Sequence, residues 1–199
     1  MSSPGPGRPR IAGHADAQRA RILDAAQKRF IEQGFHAATI ADIAATAGMS
    51  AGLLYRYFQN KNAIVLAIIE RDLEHRHNRI ATLEPGMDYA AGLVQVFRDF
   101  QSAHDHGMHA ALLLETSAEA TRVPAIREAA SDTDRETREA FAEWLGGSGD
   151  KRLAPRQAQA HALLLQIVVD GLAVRSAREP DLDSAKLRKA LAPIVDLLT

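Results

Sequence analysis

Cysteine is absent from all 199 residues, which removes disulfides, thiolate metal sites and a cysteine nucleophile at once. Aromatic residues make up only 5% of the chain, with a single tryptophan. Together with a hydrophobic content of 46% in which Ala and Leu are prominent, that scarcity favours helix over sheet, and the expected fold class is all-α. Long apolar runs are also missing. Stretches such as Leu163 to Val169 fall short of the roughly 20 residues that span a bilayer, and the N-terminus has no apolar signal core, so a cytoplasmic location without membrane contact is expected.

The motifs of catalysis are missing too. There is no G-x-S-x-G elbow and no H-E-x-x-H zinc helix, and Gly146, Gly147 and Gly149 form a loop with neither a preceding strand nor a following Lys. No catalytic residue, cofactor or metal site is expected, and the chain reads as a non-enzyme. His104, His106 and His109 cluster near Glu115 around Gly107. The first two would point apart on a helix, so the group reads as surface-loop histidines rather than as a ligand set.

What is present is an uneven distribution of charge. The net value of −1 conceals a first stretch, residues 1 to 61, with eight Lys or Arg against four acids, and a remainder with 16 bases against 21 acids. A basic head on an acidic body suits a protein whose head faces a polyanion; a chance fluctuation of surface charge is the bland alternative. Residues 1 to 15 read as a flexible arm, in which Gly7-Arg8-Pro9-Arg10 could project two arginines from an extended backbone into a minor groove or could simply be a disordered end.

The most informative segment runs from Thr39 to Lys61. Thr39 is placed to cap a short helix whose apolar face carries Ile40, Ile43, Ala44 and Ala47. Gly48 can close that helix and Ser50 can cap the next, so the turn spans about three residues. On the second helix Leu54 and Phe58 turn inward, leaving Ala51, Gly52, Tyr55 and Arg56 outside. That outer face is small, polar and cationic, as a helix entering a major groove requires, and Tyr55, Tyr57 and Lys61 offer donors for phosphate oxygens. A helix over about Asp16 to Gln33, stopped by Gly34, precedes the hairpin, and a long helix begins near Lys61 and runs to about Leu83.

These residues, from about Arg19 to Ile69, resemble the TetR family of transcriptional regulators. The resemblance is carried by Arg21-Ile-Leu-Asp-Ala-Ala-Gln-Lys-Arg-Phe-Ile-Glu-Gln-Gly-Phe, Thr39-Ile-Ala-Asp-Ile-Ala, Ala47-Gly-Met-Ser and Leu54-Tyr-Arg-Tyr-Phe-Gln-Asn-Lys. It implies an N-terminal three-helix DNA-binding domain with a helix-turn-helix (about 16–62) and a larger helical ligand-binding and dimerisation domain (about 63–199). By position it places Thr39, Ser50, Tyr55, Tyr57 and Lys61 at phosphates, and Ala51, Gly52, Leu53 and Arg56 near base edges. The function implied is a homodimeric repressor released from a palindromic double-stranded DNA operator by a small-molecule inducer. An activator or a corepressor-dependent regulator would share the DNA chemistry.

Beyond residue 85 further helices are expected over about 88–106, 108–120, 124–145, 155–178 and 183–198. The fourth is apolar nearly all round, with Leu163, Leu164, Leu165, Ile167, Val168, Val169 and Leu172, and must be covered on both sides. Burial within one chain would do this. The resemblance implies instead that the last two helices pair with their copies in a homodimer. An effector pocket could be lined by Phe97, Phe100, Met108, Phe141 and Trp144, although any one of them could equally be plain core.

Overall fold

The computed structural model describes residues 10–84, 87–102, 109–147 and 153–198. Among them the chain forms nine helices and no strand: α1 (Arg10–Ala37), α2 (Ile40–Thr46), α3 (Ala51–Leu54), α4 (Lys61–Ala81), α5 (Tyr89–Asp99), α6 (Ala110–Ala120), α7 (Pro124–Gly147), α8 (Pro155–Arg178) and α9 (Ser184–Leu198). The all-α expectation holds. The described residues up to Ile64 make one compact unit and those from Val65 a second, so the division falls inside α4.

In the N-terminal unit α1 begins at Arg10, earlier than Asp16, so residues 10 to 15 are helical rather than an extended arm. The arginine arm expected further upstream lies outside the described residues. Gly34 interrupts α1 with φ 77° and ψ 162°, a combination open essentially only to glycine. Ile22, Ala26 and Phe30 on α1, Ile43 and Ala44 on α2, and Leu54 and Phe58 are all buried and form the core that fixes the hairpin.

The C-terminal unit is layered on α8, which pairs with α5, α6 and α7, while α9 lies along α5. Leu93 and Phe97 of α5 pack with Leu172 of α8 and with Leu187 and Leu191 of α9. Ala142 and Leu145 of α7 meet Ala158 and Ala162 of α8, small residues that let two helices approach closely. By length and composition α8 could cross a membrane, since an 18-residue stretch of it has a mean hydropathy of 1.3. The short uninterrupted runs do not reveal this, because the alanines between them raise the average. The same helix buries Gln166 and Ser176 together with Ala158, Ala162 and Ala173 against its neighbours and leaves Leu163 and Ile167 exposed.

Candidate nucleic-acid interface and effector cavity

The hairpin is fixed by its caps. Thr39 Oγ1 accepts the Asp42 amide at 3.1 Å, and Asp42 Oδ2 accepts the Thr39 amide at 3.1 Å, closing a capping box at the start of α2. The Thr39 hydroxyl also donates to Asp42 Oδ2 at 2.5 Å, and this bond, followed by the one from the Thr39 amide, holds the Asp42 carboxyl below the usual carboxylate range, helped by Arg29. At the other end Gly48 adopts φ 66°, with its amide bonded to Ala45 O at 3.1 Å and the Met49 amide to Ala44 O at 3.0 Å. This pair of bonds is a Schellman closure. Arg21 Nη2 donates to Ala47 O at 2.6 Å and satisfies one more carbonyl. Ser50 Oγ then accepts the Leu53 amide at 3.2 Å and starts α3.

The second helix is shorter than the spacing suggests. Regular helix ends at Leu54, and hydrogen bonds from Tyr57 and Phe58 to Leu54 O carry the chain through one further turn. The inward and outward assignments still follow the sequence. Leu54 and Phe58 are buried, Phe58 with the Arg19 guanidinium 4.5 Å over its ring, while Gly52, Tyr55 (53% exposed) and Arg56 face out. Ala51, Leu53 and Tyr57 are half-buried, and Thr39 and Ser50 are exposed beside their caps. Around Gly52, a Cβ would meet no atom within 4 Å. The fold therefore does not require glycine there, and the vacant space faces outward.

Lys61 has partners within the chain. Read as a phosphate donor, its ammonium instead donates to Phe35 O at 2.5 Å and to His36 O and Ala38 O at 3.2 Å, and it lies 4.6 Å over the Phe35 ring. The break at Gly34 leaves those carbonyls without helical partners, and the cation gathers them. A lysine spaced as if for DNA gives no sequence signal of this role, because its partners lie more than 20 residues away along the chain.

In the C-terminal unit two adjoining cavities share Arg79, Ile80, Val96, Phe141 and Val169 as lining. The larger, about 270 Å³, is lined also by Tyr89, Leu93, Trp144, Leu145 and Leu165. Trp144 meets Tyr89 edge-on at 5.2 Å, and its Nε1 is buried without a hydrogen-bond partner. The smaller, about 130 Å³, is polar at one end, where Asp72, Arg76, Thr137, Gln166 and Asp170 gather. Thr137 is 3% exposed and its Oγ1 has no partner. Burial raises the Asp170 carboxyl above its ordinary value even though the residue reaches solvent, and the charge of Asp134 adds to this while Arg76 opposes it.

Of the residues expected at a pocket, Phe141 lines both cavities, Trp144 the larger and Phe100 the smaller. Phe97 is a correction. It is fully buried among Leu93, Leu172, Leu187 and Leu191 and lines neither cavity, because its position on α5 faces the α8 and α9 side. Met108 lies outside the described residues, as do His104 and His106. His109 caps α6, its Nδ1 accepting the Ala111 amide at 3.1 Å, and burial lowers its imidazole below the ordinary value. The polar wall of the smaller cavity was illegible in sequence, since Asp72, Thr137 and Asp170 come from three helices and form no local motif.

A capped helix-turn-helix with a small, polar outer face, followed by a helical unit enclosing cavities, defines a DNA-binding transcriptional regulator. Comparison with known proteins agrees. Residues 22–68 match the model of bacterial regulatory proteins of the tetR family, and residues 90–199 match that of the BetI-type transcriptional repressor C-terminal region. The HTH-type transcriptional repressor Rv1474c of Mycobacterium tuberculosis is 30% identical over 93% of this chain and 92% of its own. The HTH-type transcriptional regulator UidR of Escherichia coli is 33% identical over 56% of each. Among solved structures, Salmonella enterica GusR superposes with a TM-score of 0.69 at 26% identity, covering 90% of this chain and 96% of that one. The chain belongs to the TetR family of transcriptional regulators.

Proposed function

We propose that this regulator is a cytoplasmic, non-catalytic homodimeric repressor that two hairpins hold on a palindromic operator and that a small molecule in the C-terminal cavities releases. The observation that carries the DNA reading is Gly52: its missing side chain serves no packing purpose, so the space beside it admits a partner's surface. In this reading Thr39, Ser50, Tyr55 and Tyr57 hold phosphates, and Ala51, Gly52, Leu53 and Arg56 approach base edges.

The dimer reading is supported by α8. Leu163 (44% exposed) and Ile167 (57% exposed) lie four residues apart with Gly171 four further on, giving a bare apolar stripe that ends in a residue without a side chain. Leu197 of α9 is likewise bare. Two copies meeting through α8 and α9 cover these groups and set two hairpins for half-sites one helical turn apart, about 34 Å.

The test is selection of duplexes by the full-length chain from a randomised pool at low salt, followed by sedimentation of the winning complex. A palindromic winner carrying two chains, with affinity falling steeply as salt rises, is expected. One chain on an asymmetric site would contradict the proposal.

A further inference from the structure

The smaller cavity carries more than shape. Asp72 is matched by Arg76 at 2.5 Å and Asp99 by Arg79 at 2.8 Å, so both arginines of that wall already have a carboxylate. Asp170 has no hydrogen bond or ion pair among the described residues. Arg138, on the adjoining turn of α7, donates to Gln166 Oε1 at 3.1 Å, while His75 has an interaction of its own. What is left for a visitor is the Asp170 carboxylate, an acceptor, and the orphaned Thr137 Oγ1, a hydroxyl able to accept or donate, buried at 3% exposure. A carboxylate with no hydrogen bond or ion pair, compensated only by the Arg76 charge that Asp72 already shares, favours a group that brings protons and positive charge, and the hydroxyl can accept one of those protons.

Next to this polar end lies an apolar space faced by Trp144, Tyr89, Leu93 and Leu165. The two compartments share a wall, so one molecule can occupy both. We propose that the effector is an amphipathic primary or secondary ammonium compound, its apolar tail in the larger cavity against Trp144 and its N–H-bearing cationic head in the smaller one at Thr137 and Asp170. This rests on the reading of the cavities as the effector site. It goes further by fixing head-group charge and proton count: a carboxylate head meets Asp170 with the wrong sign, and a quaternary ammonium has no proton for either acceptor.

The only tryptophan of the chain is Trp144, which supplies a built-in reporter. Octylammonium, octyltrimethylammonium, octanoate and octanol are titrated into the full-length protein while its fluorescence is followed. Octylammonium is expected to bind about tenfold tighter than either octanoate or the quaternary analogue, the scale of one charge-assisted hydrogen bond. Asp170→Asn should collapse that preference while leaving the octanol affinity in place; Asp170 is exposed and lacks a structural partner, so the variant keeps its fold. Thr137→Val, matched in shape, should lower octylammonium affinity several-fold and leave octanol affinity within about twofold. Octanoate or octyltrimethylammonium binding as tightly as octylammonium, or a preference that survives in Asp170→Asn, overturns the head-group assignment with the cavity reading intact. If none of the four compounds changes Trp144 emission saturably, the cavity reading itself fails and the assignment with it.

Discussion

The two units of this chain differ in where their open polar groups lie: in the first, Arg29 Nε on α1 is buried without a hydrogen bond but the hairpin itself is matched, whereas in the second two such groups, on Thr137 and Trp144, border the cavities. In the N-terminal unit the backbone groups around the hairpin are matched: the Thr39–Asp42 box, the Gly48 closure with Arg21, the Ser50 cap and the Lys61 ammonium between them collect the amides and carbonyls that short helices leave open. Only the outward face of α3 serves nothing inside. In the C-terminal unit, Thr137 Oγ1 and Trp144 Nε1 are buried with nothing to bond to, and Leu163 and Ile167 stand bare on the surface. A hairpin that needs rigid presentation has its backbone groups matched. A unit proposed to take up a ligand and a second copy of the chain keeps buried polar groups and apolar surface open for them.

That contrast can be broken or sharpened in a graded series. The largest effect is expected from Ile167→Asp, which sets a charge in the bare stripe of α8. The variant should sediment as a monomer at micromolar concentration and lose operator binding, with its helical circular dichroism preserved; a stable dimer would move the interface elsewhere. Next comes Lys61→Met, which retains an apolar stem over Phe35 but removes three donations to carbonyls. Chemical denaturation should show a loss of roughly 2 kcal/mol. If Lys61 were instead a phosphate contact, stability would hold and only DNA affinity would fall.

Smaller again is Gly48→Ala, where an L-residue must adopt φ 66° and its Cβ would stand 3.2 Å from Arg21 Nη2. The cost should be roughly 1–2 kcal/mol, read from the same denaturation curves. The smallest effect is acidic. Because its folded-state pKa is depressed, Asp42 contributes stability that is present above its unfolded value and lost as pH falls through the lower, folded value. Its carboxyl resonance should therefore titrate below the ordinary aspartate range by NMR, and Thr39→Ala, which removes the hydroxyl but keeps the amide, should move it part of the way back.

Much of this was legible in the order of residues. Thr39, Gly48 and Ser50 act through neighbours two to four positions away, and Leu54 and Phe58 through a helical period, so their roles can be read locally. The illegible parts are those in which distant segments cooperate. Lys61 has the composition of a DNA contact, yet the break at Gly34 makes it a clasp for α1. Phe97 is one aromatic among several, and only the packing of α5 on α8 and α9 assigns it to the core while Phe141 and Trp144 border a cavity. Asp72, Thr137 and Asp170 fall on α4, α7 and α8, and no periodicity within one helix announces that they share a wall.

The central claim is that the outer face of α3 exists for DNA and not for the fold, and Gly52→Ala tests it most directly, with thermal melting and binding to a selected duplex measured side by side. Since a Cβ at that position meets no protein atom, the melting temperature should stay level or rise, as alanine favours helix, while DNA affinity drops at least tenfold. Unchanged affinity, or a loss of affinity that merely tracks a fall in stability, would contradict the account.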